Sequence, residues 1–208
     1  MKTLLINAHP DFNNPNHFSN QLQELFLAKY KSQFSENELT IFNLYDLDTS
    51  LPRIEQNQLL KIWNKKIADE KLSADELKIA QVSEQLLTQF KAHHRLVIVS
   101  PLHNFNITSR LKDYIDNILI ARETFRYLDS PDDKGKLSTG LMTNDYKALL
   151  LFASGSIYSD HEFYQNLDFA PQYLKMIFSE IMGFSDFEIV RAEGTAILPE
   201  NQQYYYIL

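Results

Sequence analysis

Arg95-Leu96-Val97-Ile98-Val99-Ser100-Pro101-Leu102-His103-Asn104-Phe105-Asn106-Ile107 is the stretch whose reading decides the fold. Leu96 to Val99 is apolar without alternation and carries β-branched residues, and Pro101 stops it. Such a run is a strand buried on both faces, as in a parallel sheet whose crossovers lay helices on either side. A polar and aromatic loop follows, Leu102 to Ile107. Thr108 or Ser109 then opens a helix with Leu111, Tyr114, Ile115, Ile118 and Leu119 on its inner face.

The same phrase of strand, polar loop and helix recurs outward from there. Thr3 to Asn7 reads as a short buried strand ending at His9-Pro10-Asp11, before a helix whose inner face carries Phe18, Leu22, Leu25, Phe26 and Tyr30. Leu39 to Leu44 is a second strand. From Ile54 to Phe90 the pattern is mostly helical with a break at Leu72-Ser73, where Ser73 and Glu76 have the spacing of a capping box. Ile79, Val82, Leu86 and Phe90 turn that helix toward a core. Phe125 to Tyr127 is a short extended piece. Ser130 to Asn144, with Gly135 and Gly140, is expected to be an exposed excursion and the most mobile segment. Ala148 to Ala153 is a further core strand ending at Ser154-Gly155-Ser156. A helix is predicted over Pro171 to Met182, closed by Gly183, and a last strand over Phe187 to Arg191. Five strands alternating with helices predict an α/β fold, a doubly wound five-stranded parallel sheet in three layers with right-handed crossovers. No repeat or linker divides the chain, so residues 1–208 are read as a single domain.

Composition narrows the chemistry. Of the 208 residues 44% are apolar and 23% charged, as in ordinary globular proteins. Zero cysteine removes disulfides, thiolate-held zinc, iron–sulfur clusters and thiol nucleophiles. The five glycines never come close enough for G-x-G-x-x-G, and Leu141 stands where a Walker A lysine would follow Gly135 and Gly140. A net charge of −7 argues against nucleic acid as a partner. The first apolar run is too short for a signal peptide, and no stretch approaches the roughly 18 apolar residues of a membrane helix. The reading is a cytoplasmic protein. His161-Glu162 fails H-E-x-x-H at its last position, and His93-His94 are read as solvated at a helix-to-strand turn, so no metal site is expected. Tyr204-Tyr205-Tyr206 is read as surface or subunit packing.

In a doubly wound sheet the ligand sits beyond the carboxyl ends of the strands. Those ends carry Asn7–Asn20, Pro101–Ile107 and Ser154–Tyr158, all rich in Asn, Ser, His and aromatics. The first leads into a helix N-terminus, which favours an anion, yet no Lys or Arg lies between Thr3 and Ala28. Read alone, Asn16, His17 and Ser19 are better explained as helix caps. The second, two amides and an imidazole among apolar residues, suits a flat heteroaromatic ligand or a capped turn. The third offers small residues and backbone amides, and lacks the G-x-S-x-G of a hydrolase elbow. A hydrolase using Ser154 or Ser156 stays open at this level.

Asn7-Ala8-His9-Pro10, His17-Phe18-Ser19-Asn20-Gln21-Leu22, Pro101-Leu102-His103-Asn104-Phe105-Asn106-Ile107, Leu111-Lys112-Asp113-Tyr114, Thr124-Phe125-Arg126-Tyr127 and Ala192-Glu193-Gly194 together resemble FMN-dependent NADH-azoreductases, among the flavodoxin-like NAD(P)H quinone reductases. The resemblance implies a flavodoxin-like fold and a homodimer with tightly bound FMN at the interface. It implies ping-pong hydride transfer from NADH or NADPH to a quinone or azo acceptor. By position, Ser19 with its neighbours His17 and Phe18 would hold the phosphate, and His9 would also touch the cofactor. Pro101, Leu102, His103, Asn104 and Phe105 would line one side of the isoalloxazine, and Ser154, Gly155 and Ser156 the other. Phe125 and Tyr158 would border the substrate pocket, with His103 and Tyr158 supplying protons or placing substrate. The family often has serine at His17 and tyrosine at His103, and the segment Ser138–Tyr146 departs from its pattern. Arg122 and Arg126 are either a basic pair able to serve an NADP phosphate or simply paired surface charges. The alternative is a flavin-binding electron carrier without NAD(P)H turnover.

Overall fold

The computed structural model describes residues 1–159, 162–198 and 205–207, with 162 and 205–207 by backbone alone. His161 and Tyr204 lie outside the described residues. The strands are β1 (Thr3–Asn7), β2 (Leu39–Asn43), β3 (Arg95–Pro101), β4 (Phe125–Tyr127), β5 (Ser138–Gly140), β6 (Lys147–Ala153), β7 (Asp186–Ala192) and β8 (Tyr205–Ile207). The helices are α1 (Phe18–Lys31), α2 (Leu59–Ile67), α3 (Ala74–Lys91), α4 (Ser109–Ile118), α5 (Glu162–Gln165) and α6 (Phe169–Lys175). α6 continues over Met176–Ile181 as a π-helix, so the predicted Pro171–Met182 helix is present and begins at Phe169, with Pro171 in its first turn.

The main sheet runs β2-β1-β3-β6-β7-β8. Its first five strands are parallel, as predicted, and growth reverses direction between β1 and β3. The sixth strand was not anticipated: Tyr205–Ile207 pairs antiparallel with β7, Val190 opposite Ile207 and Ala192 opposite Tyr205. The register brings Asn7 beside Val99, Pro101 beside Ala153 and Ala153 beside Ala192, so four strands deliver their carboxyl ends along one edge.

Side chains alternate between two cores, as the pleat requires. Leu4, Ile6, Ile98, Leu150 and Phe152 meet Leu86 and Phe90 of α3, Leu111, Tyr114 and Ile115 of α4, and Leu174 and Phe178. Leu5, Val97, Val99, Leu151 and Ala192 face α1 through Leu22, Phe18 and Phe26. The capping box at Ser73 and Glu76 is present in both directions. Glu76 also takes Lys65 at 2.8 Å and Lys61 at 3.0 Å, and these cations, Lys65 foremost, with the Ser73 N–H pull its carboxyl down to about 2.

Two expectations need correction. The excursion after Ser130 is exposed through its first half, but its second half is anchored to the fold although Leu141, Thr143 and Asn144 stay exposed. Ser138–Gly140 forms a two-stranded ribbon with β4, Met142 is buried, and its N–H bonds Met182 O at 2.8 Å. Gly140 lies so close to the chain at Met182-Gly183 that a Cβ would fall 2.3 Å from the Met182 carbonyl. His93 is buried rather than solvated, bonding Thr40 Oγ1 at 2.9 Å and Gln89 O at 2.6 Å, and His94 stacks on Tyr146. Burial of their apolar ring faces outweighed the polar look of the pair.

Candidate functional site

The site begins where β1 ends. Asn7 is fully buried, and its Nδ2 donates to Asn20 Oδ1 at 3.2 Å and Gln23 Oε1 at 2.8 Å while its Oδ1 accepts the His9 N–H at 2.8 Å. Asn20 Nδ2 in turn donates to Asp11 O at 3.0 Å and Asn14 O at 2.8 Å. These two amides wrap the loop around the start of α1. Neither was singled out from sequence for this role, although an asparagine closing an apolar strand is the visible signal.

Within the loop, Asp11 Oδ2 lies 2.9 Å from His17 Nε2 and accepts from Asn14 Nδ2 at 2.9 Å. These bonds hold the Asp11 carboxyl below its ordinary range, the Asn14 bond most strongly. The His9 and His17 rings stack with centroids 4.2 Å apart. Burial, then the His17 charge, and more weakly that of His103, push His9 below its ordinary value, which places the first two loops within electrostatic reach of one another.

α1 starts bare. His17 stands at the N-cap without a side-chain bond, and the first turn holds no acidic residue. Among the described residues the N–H groups of Phe18, Ser19 and Asn20 find no acceptor. Ser19 is 1% exposed, and its Oγ has no partner. A buried hydroxyl left so costs about 1–3 kcal/mol. The arrangement presents a row of donors with a positive dipole end behind it, made for an anion.

The second loop leaves β3 at Pro101. Leu102 N–H bonds Ala153 O at 2.7 Å, and His103 and Asn106 exchange backbone bonds of 2.9 and 3.0 Å. Between them Asn104 and Phe105 have φ of 47° and 62°, the positive pair of a type I′ turn. A phenylalanine in that region is strained, and strain of this kind gathers at functional sites. Phe105 is 47% exposed, with His103 and Asn104 exposed beside it. Thr108 Oγ1 donates to Ala8 O at 3.1 Å and ties this loop to the first.

The third loop leaves β6. Ser154 N–H bonds Ala192 O at 2.9 Å, and Ser154 Oγ donates to Ser156 O at 2.8 Å. Ser154 is buried, and its Oγ is committed to the Ser156 carbonyl. Tyr158 is buried with its ring edge on Tyr164, and burial raises its hydroxyl above the ordinary value, so it stays protonated. Phe125 stands on the β4–β5 ribbon, half-buried against Tyr127, with Arg122 and Arg126 exposed beside it. Asp168, Arg191 and Glu193, all buried, hold the third loop from beneath; sequence reading assigned them no role. Among the described residues no three His, Asp or Glu gather as a metal site, and no helix is long and apolar enough to cross a membrane.

The parallel strands run in the order β2-β1-β3-β6-β7 with loops converging at the switch point, and the chain matches the model of the flavodoxin-like fold family over residues 1–205. The chain belongs to this flavodoxin-like family. Within it, the chain is 50% identical over 193 residues to FMN-dependent NADH:quinone oxidoreductase 1 of Lactiplantibacillus plantarum, covering 93% of this chain and 86% of that one. It is also 50% identical over 198 residues to the FMN-dependent NADH:quinone oxidoreductase of Streptococcus agalactiae, covering 95% and 89%. Its fold superposes with a TM-score of 0.87 on an FMN-dependent NADH-azoreductase from Bacillus anthracis solved in complex with FMN, at 40% identity and covering 97% of this chain and 91% of that one. As a flavodoxin-like protein, it would place a ligand along the edge where the three loops meet.

Proposed function

We propose that this chain is an FMN-dependent oxidoreductase that passes electrons from NADH to quinones and azo compounds. The observation that carries the reading is Ser19 Oγ, buried without a partner at the bare N-terminus of α1, beside the switch point. A cofactor phosphate supplies the acceptors those donors lack, so the residues present fit FMN. The names of relatives at 50% identity support the same cofactor and donor.

In this reading His9, His17, Phe18 and Ser19 hold the phosphate. Pro101, Leu102, His103, Asn104 and Phe105 lie along one side of the ring, and Ser154, Gly155 and Ser156 along the other. FMN supplies the ring that takes a hydride from NADH and hands electrons on. The protein's work is to fix that ring, leave one face open, and admit donor and acceptor to the same place in turn. His103, exposed on its strained turn, offers its imidazole near that place to supply a proton or position substrate, and Tyr158 keeps its hydroxyl proton as a second donor. Phe125 borders the open face. A homodimer with the ring at its interface and a cytoplasmic location belong to the same proposal.

The test is the visible spectrum of the purified protein under anaerobic conditions. A flavin band that NADH bleaches and a quinone restores is the expected result. A colourless protein that releases no FMN on denaturation refutes the reading. A coloured protein that NADH cannot bleach is the electron carrier instead.

A further inference from the structure

Arg191 points its fork at Asp168, Nη1 to Oδ1 at 3.1 Å and Nη2 to Oδ2 at 2.5 Å, and Nη1 also meets Glu193 Oε1 at 3.2 Å. The guanidinium lies 5.7 Å over the Phe152 ring. All three charged residues are at least nine-tenths buried. A buried ionic cluster of this kind is a poor source of stability, because desolvation consumes the Coulomb gain. Its geometry fixes directions instead.

Asp168 is the N-cap of α6, so the fork anchors the end of β7 to that helix. Glu193 carries the constraint onward: its Oε1 accepts the Tyr158 N–H at 3.2 Å and its Oε2 accepts the Ser159 hydroxyl. The far end of the third loop is thereby fixed. The near end is fixed through carbonyls. Ser154 O takes the N–H of Thr195, Gly155 O that of Ala196, and Ser156 O that of Gly194. Every carbonyl from Ser154 to Ser156 is therefore spent on the segment after β7. Among the described residues the N–H groups of Gly155 and Ser156 find no acceptor. The loop is held at both ends with two unspent donors in its middle.

We infer that Glu193, clamped by Arg191, is the positioning residue that sets the Gly155 and Ser156 N–H groups against the edge of the flavin ring, where they receive the charge that develops on reduction. This rests on the proposed FMN site. Oriented donors act only if they are already in place, and a displacement of about 1 Å costs roughly 100-fold.

The experiment compares flavin-loaded wild type, Glu193→Gln, Ser159→Ala and Glu76→Gln. Glu193→Gln keeps one acceptor for the Tyr158 N–H, but presents an amide where Arg191 and Ser159 need a carboxylate. It is expected to retain FMN, since the phosphate is held by α1. Its kcat should fall roughly 10- to 100-fold with KM for NADH changed far less, and the visible flavin band should shift. Ser159→Ala removes one of the two bonds that tie the far end of the third loop to Glu193 and should give a smaller drop in kcat with the same band shift; it carries the test if Glu193→Gln does not fold. Glu76→Gln strips a buried carboxylate of comparable connectivity, whose partners Lys61, Lys65 and Ser73 touch none of the three loops, and should lower Tm without moving kcat or the band. A Glu193→Gln or Ser159→Ala enzyme with kcat and spectrum of wild type, whatever its Tm, overturns the inference. A wild-type protein purified without flavin refutes the underlying cofactor reading instead, and the inference falls with it.

Discussion

Gly140→Ala isolates a purely steric demand. Gly140 has no positive φ, so alanine is conformationally acceptable there. Its Cβ, however, would lie 2.3 Å from Met182 C and O and 2.4 Å from Gly183 N, all backbone atoms. No rotamer relieves such a contact, because carbon contacts need about 3.5 Å. Either β5 or the end of the π-helix must move by about 1 Å. That movement strains the 2.8 Å Met142–Met182 bond and the pairing of Gly140 with Phe125. Overpacking costs about 1–3 kcal/mol and a weakened backbone bond about 1 more. A loss near 3 kcal/mol lowers Tm by about 6–12 °C in a domain of this size. Gly135→Ala is the matched control, with open space around it but φ of 77°. Its cost is about 1 kcal/mol, purely conformational. Thermal melts followed by circular dichroism measure both. Because Phe125 moves with β5, Gly140→Ala should also raise KM for the quinone while Gly135→Ala leaves it alone. A Gly140→Ala Tm within about 2 °C of wild type, or a smaller loss than Gly135→Ala, refutes the packing argument.

Ser19→Ala removes a buried hydroxyl that has no partner, so the flavin-free chain should gain about 1 kcal/mol while FMN binds about tenfold more weakly. Melting curves and flavin fluorescence read the two effects, and they must move in opposite directions. Phe105→Asn puts a side chain that tolerates left-handed backbone at φ 62°, and should raise the urea midpoint by the equivalent of about 1 kcal/mol while lowering turnover. His9 sits below its ordinary 6.5, so the unfolded chain takes the proton first. The flavin-free protein should therefore hold its stability above pH 6.5 and lose some of it as pH falls from there toward the folded value. His9→Gln should flatten that slope in denaturation midpoints measured across the range.

The three central strands β1, β3 and β6 were legible because each is an apolar run, and a doubly buried strand shows itself in its own composition. The three loops followed from the strand ends, since their position at the sheet edge is a property of the topology rather than of the loops themselves. What stayed hidden depends on distant partners. Tyr205–Ile207 becomes a strand through β7; Tyr and Ile favour strands, but a run of three is too short to announce one. Ser138–Gly140 reads as loop because its small residues suit a turn, yet they serve a close approach to Met182. Arg191 looked like the polar end of a strand, and its partner Asp168 lies 23 positions away in the chain. The Asn7–Asn20 lock was visible only as two amides 13 residues apart.

A cradle for phosphate built from a hydroxyl, backbone amides and a helix end has a further consequence, for the pace of its filling. The chain carries a net charge of −7 and brings no lysine or arginine to the first loop. A dianionic cofactor approaching from solution meets no attractive field beyond a Debye length of about 8 Å, and dipolar donors act only on contact. Capture should thus be slow and quicken with added salt, which screens the repulsion. Release should scarcely respond to salt, since a bound phosphate is held by fit to fixed dipoles and not by mobile charges. The grip is of a kind that keeps its cofactor through changes in ionic strength.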